Sequence, residues 1–204
     1  MDALPNGPFN PGAYMAELTT ALAKLDHAVV EQMALALVDA QAAGRTVFIC
    51  GNGGSAAVAT HWAADLSKLT ALPGQSRLRV MSLTDSAAAI TAAANDFDYS
   101  EIFVDQLRTF MSPGDVVIGI STSGRSPNVL RAMEYANHHG ATSIGITGQG
   151  GGALKALADL TLVVASTSVQ RIEDVAGVAA HLACLHARGR IAELANRRPT
   201  ALSA

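Results

Sequence analysis

The sequence predicts an α/β domain built on a doubly wound, five-stranded parallel sheet in flavodoxin-like order, preceded by an N-terminal helical segment. Three observations predict it. Five short β-branched or apolar runs recur, at Thr46–Cys50, Arg79–Thr84, Asp115–Ser121, Thr142–Gly148 and Leu160–Ala165. Helical patterns lie between them, at Ala56–Leu69, Ser100–Phe110, Pro127–His138 and Gly152–Leu157. Such alternation argues for parallel strands with helices on both faces, and right-handed crossovers then favour a doubly wound sheet. The third observation is size: 204 residues, 50% of them apolar, are enough for one sizeable core and short for two.

Residues 1–12 (MDALPNGPFNPG) hold three prolines and two glycines, so a loose arm is expected there. From Ala13 to Ala43 the apolar positions Met15, Leu18, Leu22, Leu25, Val29, Met33 and Leu37 recur at intervals of three and four. That is the spacing of an amphipathic helix, or of two with a break near Asp26-His27, ended by Gly44. A last helical run from Ile172 to about Asn196 closes the domain, which is expected to span 13–196 and to be followed by an unstructured tail, 197–204.

Charge and cysteine usage narrow the partners. A net charge of −3 with 15% charged residues offers no basic face, so direct nucleic-acid binding is not expected. Cys50 and Cys184 lie far apart, without the spacing of a disulfide framework or a zinc ribbon, which fits a reducing cytoplasm. The N-terminus lacks the charged and apolar regions of a secretory signal, and no apolar run reaches about 18 residues, so no membrane partner is expected. Abundant Ala and few aromatics point to close helix packing, including between subunits.

In a doubly wound sheet the ligand sits at the carboxyl ends of the strands, so the loops there carry the functional signal. After the first strand comes Gly51-Asn52-Gly53-Gly54-Ser55, where glycines allow tight turns before a helix begins. A helix N-terminus presents free N–H groups and positive dipole to an anion such as phosphate, and Ser55 adds a hydroxyl; Ser55 as a plain helix cap is the alternative. After the third strand, Ser121-Thr122-Ser123-Gly124-Arg125-Ser126-Pro127-Asn128 again opens a helix. Neutral hydroxyls and backbone amides can hold a phosphate without lysine, or can simply cap the helix. Neither loop is a Walker loop or a dinucleotide fingerprint.

Three ordered segments, Cys50–Asp65 (CGNGGSAAVATHWAAD), Asn95–Gln106 (NDFDYSEIFVDQ) and Ser121–Leu130 (STSGRSPNVL), closely resemble the sedoheptulose 7-phosphate isomerases, also called phosphoheptose isomerases, of the sugar isomerase (SIS) fold. The likeness extends over about Gly44 to Leu194. It implies that Ser55, Ser121, Ser123 and Ser126 bind the phosphate of a small sugar phosphate, with Thr122 shaping the loop. It also implies that Asn52, Gly53, Gly54, Asn95 and Asp96 line the pocket around the sugar hydroxyls. By residue type alone Asn95-Asp96 is equally a turn pair. Arg125 stands where the family usually has Asn, and either adds a charged phosphate contact or projects into solvent.

His61 and Asp65, four apart on one helix face, can share an ion or form a surface ion pair. The resemblance implies a zinc-binding His and a zinc-binding, catalytic Glu at these positions, so Asp65 keeps the charge with a shorter reach. Arg171-Ile172-Glu173-Asp174-Val175-Ala176 stands where the family usually reads Arg-Ile-Gln-Glu-x-His. By that match Glu173 is a substrate and metal contact and His181 a metal ligand and acid–base residue. Without the resemblance His181 reads as a hydrogen-bonded core histidine. Eight residues of helix span about 12 Å, so Glu173 must lie at or before the helix start, or the two must serve different parts of the site.

The implied ligand set, His61, Asp65, Glu173 and His181, suits zinc, with manganese or iron as alternatives. The implied reaction is aldose–ketose interconversion through an enediol, with Asp65 and His181 as the acid–base pair and no redox cofactor. The resemblance further implies a homotetramer with sites at subunit interfaces. Two other readings involve no chemistry: an adaptor that binds another protein through its oligomer surface, and a phosphosugar-sensing module that keeps the serine loops. His27, His138, His139 and His186 fall outside the motifs and read as surface or packing residues.

Overall fold

The computed structural model describes residues 9–197. The N-terminal helix α1 (Pro11–Ala23) starts two residues earlier than the Pro/Gly content suggests. Pro11 sits at the first helical position, where its missing N–H costs nothing, and the Asn10 side chain accepts from the Ala13 N–H at 3.1 Å. The arm expected over 1–12 therefore ends by residue 10, and residues 1–8 of it lie outside the described part. The expected break is real: Asp26 caps α2 (His27–Ala42) by accepting from Ala28 and Val29 N–H groups. Gly44, at φ 65°, ends it.

There follow β1 (Thr46–Gly51), α3 (Gly54–Leu69), β2 (Arg79–Ser82), α4 (Ala87–Asp96), a single 3₁₀ turn (Tyr99–Glu101) and α5 (Val104–Phe110). The chain continues with β3 (Val116–Ser121), α6 (Pro127–His138), β4 (Thr142–Thr147), α7 (Gly152–Leu157), β5 (Leu160–Val163) and α8 (Val169–Arg197). All four pairings in the sheet are parallel, in the order β2-β1-β3-β4-β5, which is the flavodoxin-like order. α8 starts three residues before the expected Ile172 and includes Arg197; residues 198–204 of the expected tail lie outside the described part.

Side chains alternate across the sheet with a period of two and split the core into two layers. Val47, Ile49, Ile118, Ile144 and Ile146 face α2, α3 and α8. Phe48, Cys50 and Val117 face α5, α6 and α7. Both faces are thus apolar, the signature of a parallel sheet covered on two sides. Gly119 in β3 allows the second layer to close: a Cβ there would stand 2.8 Å from both Met133 Sδ and Val129 Cγ1 of α6.

α8 lies in the first layer beside α3, and the two run in the same direction. Ser55 meets Glu173, Asp65 meets His181, and further along the Arg188 guanidinium donates to the Leu69 carbonyl. These contacts set the candidate site residues of two distant sequence segments side by side. Among the described residues no helix is long and apolar enough to cross a membrane.

Candidate active site

The glycine loop leaves β1 at Gly51 and turns into α3 through Gly53, whose φ of 56° suits a residue without a Cβ. No side chain caps α3 in the usual way, since Gly53 occupies the cap position. Ser55 is only 3% exposed, and its hydroxyl donates to Glu173 Oε1 at 3.2 Å. The Glu173 carboxylate also lies against Gly54, leaving no room there for a Cβ. A carboxylate of the chain thus rests at the helix N-terminus, where the dipole favours negative charge.

The hydroxyl loop leaves β3 at Ser121, beside the glycine loop because β3 and β1 are neighbours. Ser121 and Ser126 hydroxyls stand 3.0 Å apart, and the Ser123 hydroxyl accepts from the Arg125 N–H at 3.2 Å. Ser123 and Arg125 are exposed, and the Arg125 guanidinium makes no ion pair among the described residues. Behind the loop, the Thr122 carbonyl accepts from Gly148 N–H and the Gly124 carbonyl from Leu154 N–H, each at 3.0 Å. Gly124, at φ 63°, packs directly on the Gly151 carbonyl. The loop is therefore held from below by backbone, and among the described residues its hydroxyls bond only within the loop.

Asn95 and Asp96 form the C-terminal end of α4, so they are helical and the turn-pair reading gives way. The sequence signal for α4 was the Ala-rich run after Ser86, a strong helix former with a capping hydroxyl. Both residues are exposed, and the Asn95 amide donates to Asp96 Oδ1 at 2.8 Å. Three residues after Asp96, the Tyr99 hydroxyl donates to Asn52 Oδ1 at 3.1 Å, tying this segment to the glycine loop. Tyr99 and Asn128 were not singled out by sequence reasoning; Asn128 pairs with Asn52 through both amides.

His61, Asp65 and His181 converge in the middle of the α3–α8 contact. One carboxylate oxygen, Asp65 Oδ2, stands 3.5 Å from His61 Nε2 and 3.4 Å from His181 Nε2. One donor atom from each of the three can be chosen so that all lie within 4.8 Å of one another. The imidazole rings meet edge to face with centroids 5.1 Å apart. The His181 side chain is 50% exposed, so it is not the core histidine its residue type alone suggests.

Glu173 is not part of this group. It lies inside α8, not before its start, and eight residues of helix carry it about 12 Å from His181. Of the four expected ligands, the fold of one chain brings three together, His61, Asp65 and His181. Ala176, at the position of the family's second His, is fully buried in the larger core layer. Cys184, one turn after His181, also stays out of the set: burial first, then the negative charge of Asp65, pushes its thiol up to about 11. Burial pushes the Cys50 thiol up to about 12. Among the other histidines, His27, His138 and His139 are exposed, and His186 stands 4.0 Å from Glu31.

The donor chemistry fits a divalent ion. Zinc bonds of about 2.0–2.1 Å at tetrahedral angles separate ligand atoms by about 3.3 Å, close to the two distances around Asp65 Oδ2. Three protein ligands also leave a coordination position free, as catalytic zinc requires.

Residues 12–148 match the model of the SIS domain family. A phosphoheptose isomerase of Paramagnetospirillum magneticum is 41% identical over 173 residues, covering 83% of this chain and 90% of that protein. One of Desulfovibrio desulfuricans is 40% identical over 156 residues, 76% of this chain and 74% of that protein. The solved structure of a phosphoheptose isomerase from Neisseria gonorrhoeae superposes with a TM-score of 0.81 at 31% identity, covering 87% of this chain and 96% of that one.

Proposed function

The chain belongs to the SIS domain family and within it to the phosphoheptose isomerases, and from that premise we propose that it interconverts sedoheptulose 7-phosphate and an aldose heptose 7-phosphate. The observation that carries the reading is the convergence of His61, Asp65 and His181 along the helix whose first turn is the phosphate loop. One helix thus spans from the anchoring group of the substrate to the acid–base pair.

Ser55, Ser121, Ser123 and Ser126 hold the phosphate, with Thr122 shaping their loop. Gripping a group remote from the reacting carbons supplies binding energy that positions them. Gly53 and Gly54 let the backbone approach, and Asn52, Asn95 and Asp96 border the sugar. The reaction then needs a proton taken from C1 of the ketose while O2 gains one, which gives the enediol. Delivery of a proton to C2 and loss of the O1 proton complete the aldose. Asp65 and His181 are the base and the acid, set 3.4 Å apart by the packing of α3 on α8. His61, Asp65 and His181 would hold a zinc ion, whose charge would stabilise the negative oxygen of the enediolate. No redox cofactor enters this balance.

We extend the reading to a homotetramer in the cytoplasm. The exposed apolar residues Val178, Leu182 and Leu185 of α8 support contact with further copies, and two free thiols support a reducing compartment. In such an assembly Glu173 of one copy would exchange its Ser55 contact for a place in a neighbour's ligand set. Incubation of the purified protein with sedoheptulose 7-phosphate, with and without zinc, tests the function. Formation of an aldose phosphate, lost in His181→Ala, is expected. Phosphate binding without turnover under either condition would sink the isomerase reading in favour of a binding module.

A further inference from the structure

We infer that Asn128 and Tyr99 are positioning residues that clasp the three substrate loops together through Asn52, whose side chain serves the clasp more than it serves the sugar. The inference rests on the isomerase reading for its substrate, and on the following geometry for its logic.

Asn52 stands in the glycine loop after β1, and Asn128 stands in the first turn of α6, just beyond Ser126 of the hydroxyl loop. Their amides pair in both directions: Asn52 Nδ2 donates to Asn128 Oδ1 at 3.0 Å, and Asn128 Nδ2 donates to Asn52 Oδ1 at 2.8 Å. The orientation of the Asn128 amide is fixed from outside the pair. Its Oδ1 also accepts from the Val129 N–H at 3.0 Å, and a backbone N–H can only donate. Asn128 is 1% exposed, so no water replaces a partner it loses.

The third strand of the clasp is Tyr99, whose hydroxyl donates to the same Asn52 Oδ1 at 3.1 Å. That oxygen has two lone pairs and both are taken. Of the two amide hydrogens of Asn52, one is taken as well. A sugar hydroxyl can therefore receive a single N–H from this side chain and cannot donate to it. What Asn52 does supply is a junction: Ser55 lies three residues after it, Ser126 two residues before Asn128, and Asp96 three residues before Tyr99. The clasp sets the spacing between two groups that must grip one phosphate and the α4 end that borders the sugar.

Misplacement of bound groups by about 1 Å can cost on the order of 100-fold in rate. The variants Asn128→Asp, Asn128→Ala, Asn52→Ala, the double Asn52→Ala/Asn128→Ala and Tyr99→Phe test the clasp. Asn128→Asp keeps the acceptor for Val129 and sets an oxygen against Asn52 Oδ1. Each is assayed for isomerisation, for binding of inorganic phosphate by calorimetry, and for thermal midpoint. The expected result is a loss of phosphate affinity on the order of tenfold for the Asn128 variants, expressed in KM more than in kcat. The double variant should be no worse than Asn128→Ala, because residues acting as a unit are not additive.

Tyr99 is exposed, so Tyr99→Phe keeps the fold and reports on the clasp if the Asn128 variants fail to fold; a rise in KM of about threefold is expected, with kcat kept. Additive effects of Asn52→Ala and Asn128→Ala would overturn the inference, as would thermal destabilisation with unchanged phosphate binding. A wild-type protein that binds phosphate but isomerises nothing would refute the isomerase reading, while the phosphate affinities would still decide the clasp.

Discussion

The two halves of α3 are built differently. At its N-terminal turn, Ser55 is buried and bonded to Glu173, and the neighbouring Ser121 and Asn128 are buried too. Halfway along, the His61 and His181 side chains are 60% and 50% exposed, with only Asp65 partly covered between them. The first region is finished by the chain itself, through backbone and amide contacts. The second is three ligand-type side chains around one oxygen, open to water. Exposed ion pairs contribute about 0–1 kcal/mol, so this cluster is not explained by stability. Under the proposed function, binding falls to the buried end and chemistry to the open one.

The largest test of that division is to disable the open end alone. Asp65→Asn or His181→Ala should lower isomerisation by about 10²–10⁴-fold while phosphate affinity and thermal midpoint hold. A parallel loss of phosphate binding would break the comparison. Removing divalent ions with a chelator comes next: activity should fall more than about tenfold and return with zinc, without change at the phosphate loops. Full activity in the chelated protein would leave the histidines as acid–base groups only.

At the buried end, Ser55→Ala or Ser121→Ala removes a hydrogen bond to a charged ligand, a loss of about 1.5–3 kcal/mol, so KM should rise at least about tenfold with kcat kept. Glu173→Gln takes a negative charge from the phosphate seat, and KM should fall about threefold. A rise instead would place Glu173 among the groups that hold substrate or ion. The smallest effect concerns Cys184, whose thiol is pushed up to about 11 by burial and by Asp65. A raised thiol pKa keeps the unreactive protonated form at pH 8, so alkylation should be slow there and quicken as pH approaches 11. Asp65→Asn removes part of that push and should speed labelling modestly.

Much of this site was legible in the sequence because its parts are local. A glycine loop or a serine loop between a strand and a helix is a continuous segment, and its chemistry follows from residue type and position. The α4 helix was not among the elements expected from the sequence: its Ala-rich run behind Ser86 favours a helix but carries no spaced apolar stripe to mark one. Asn128 was not legible. A polar residue two places into a helix after proline is common, and only the arrival of Asn52 from 76 residues away gives it a partner.

By itself the sequence determined the strands, the glycine and hydroxyl loops, the resemblance and the three residues that form the cluster. The order of the sheet followed, because parallel strands and right-handed crossovers leave few alternatives. The tertiary structure decided which end of α3 each residue of α8 meets. Glu173 and His181 are eight residues apart on one helix, about 12 Å along its axis, and here they rest against different turns of α3. With α3 and α8 running in the same direction, Glu173 falls at Ser55 and His181 at Asp65. That assignment depends on how two helices pack, a non-local fact that spacing along either helix does not contain.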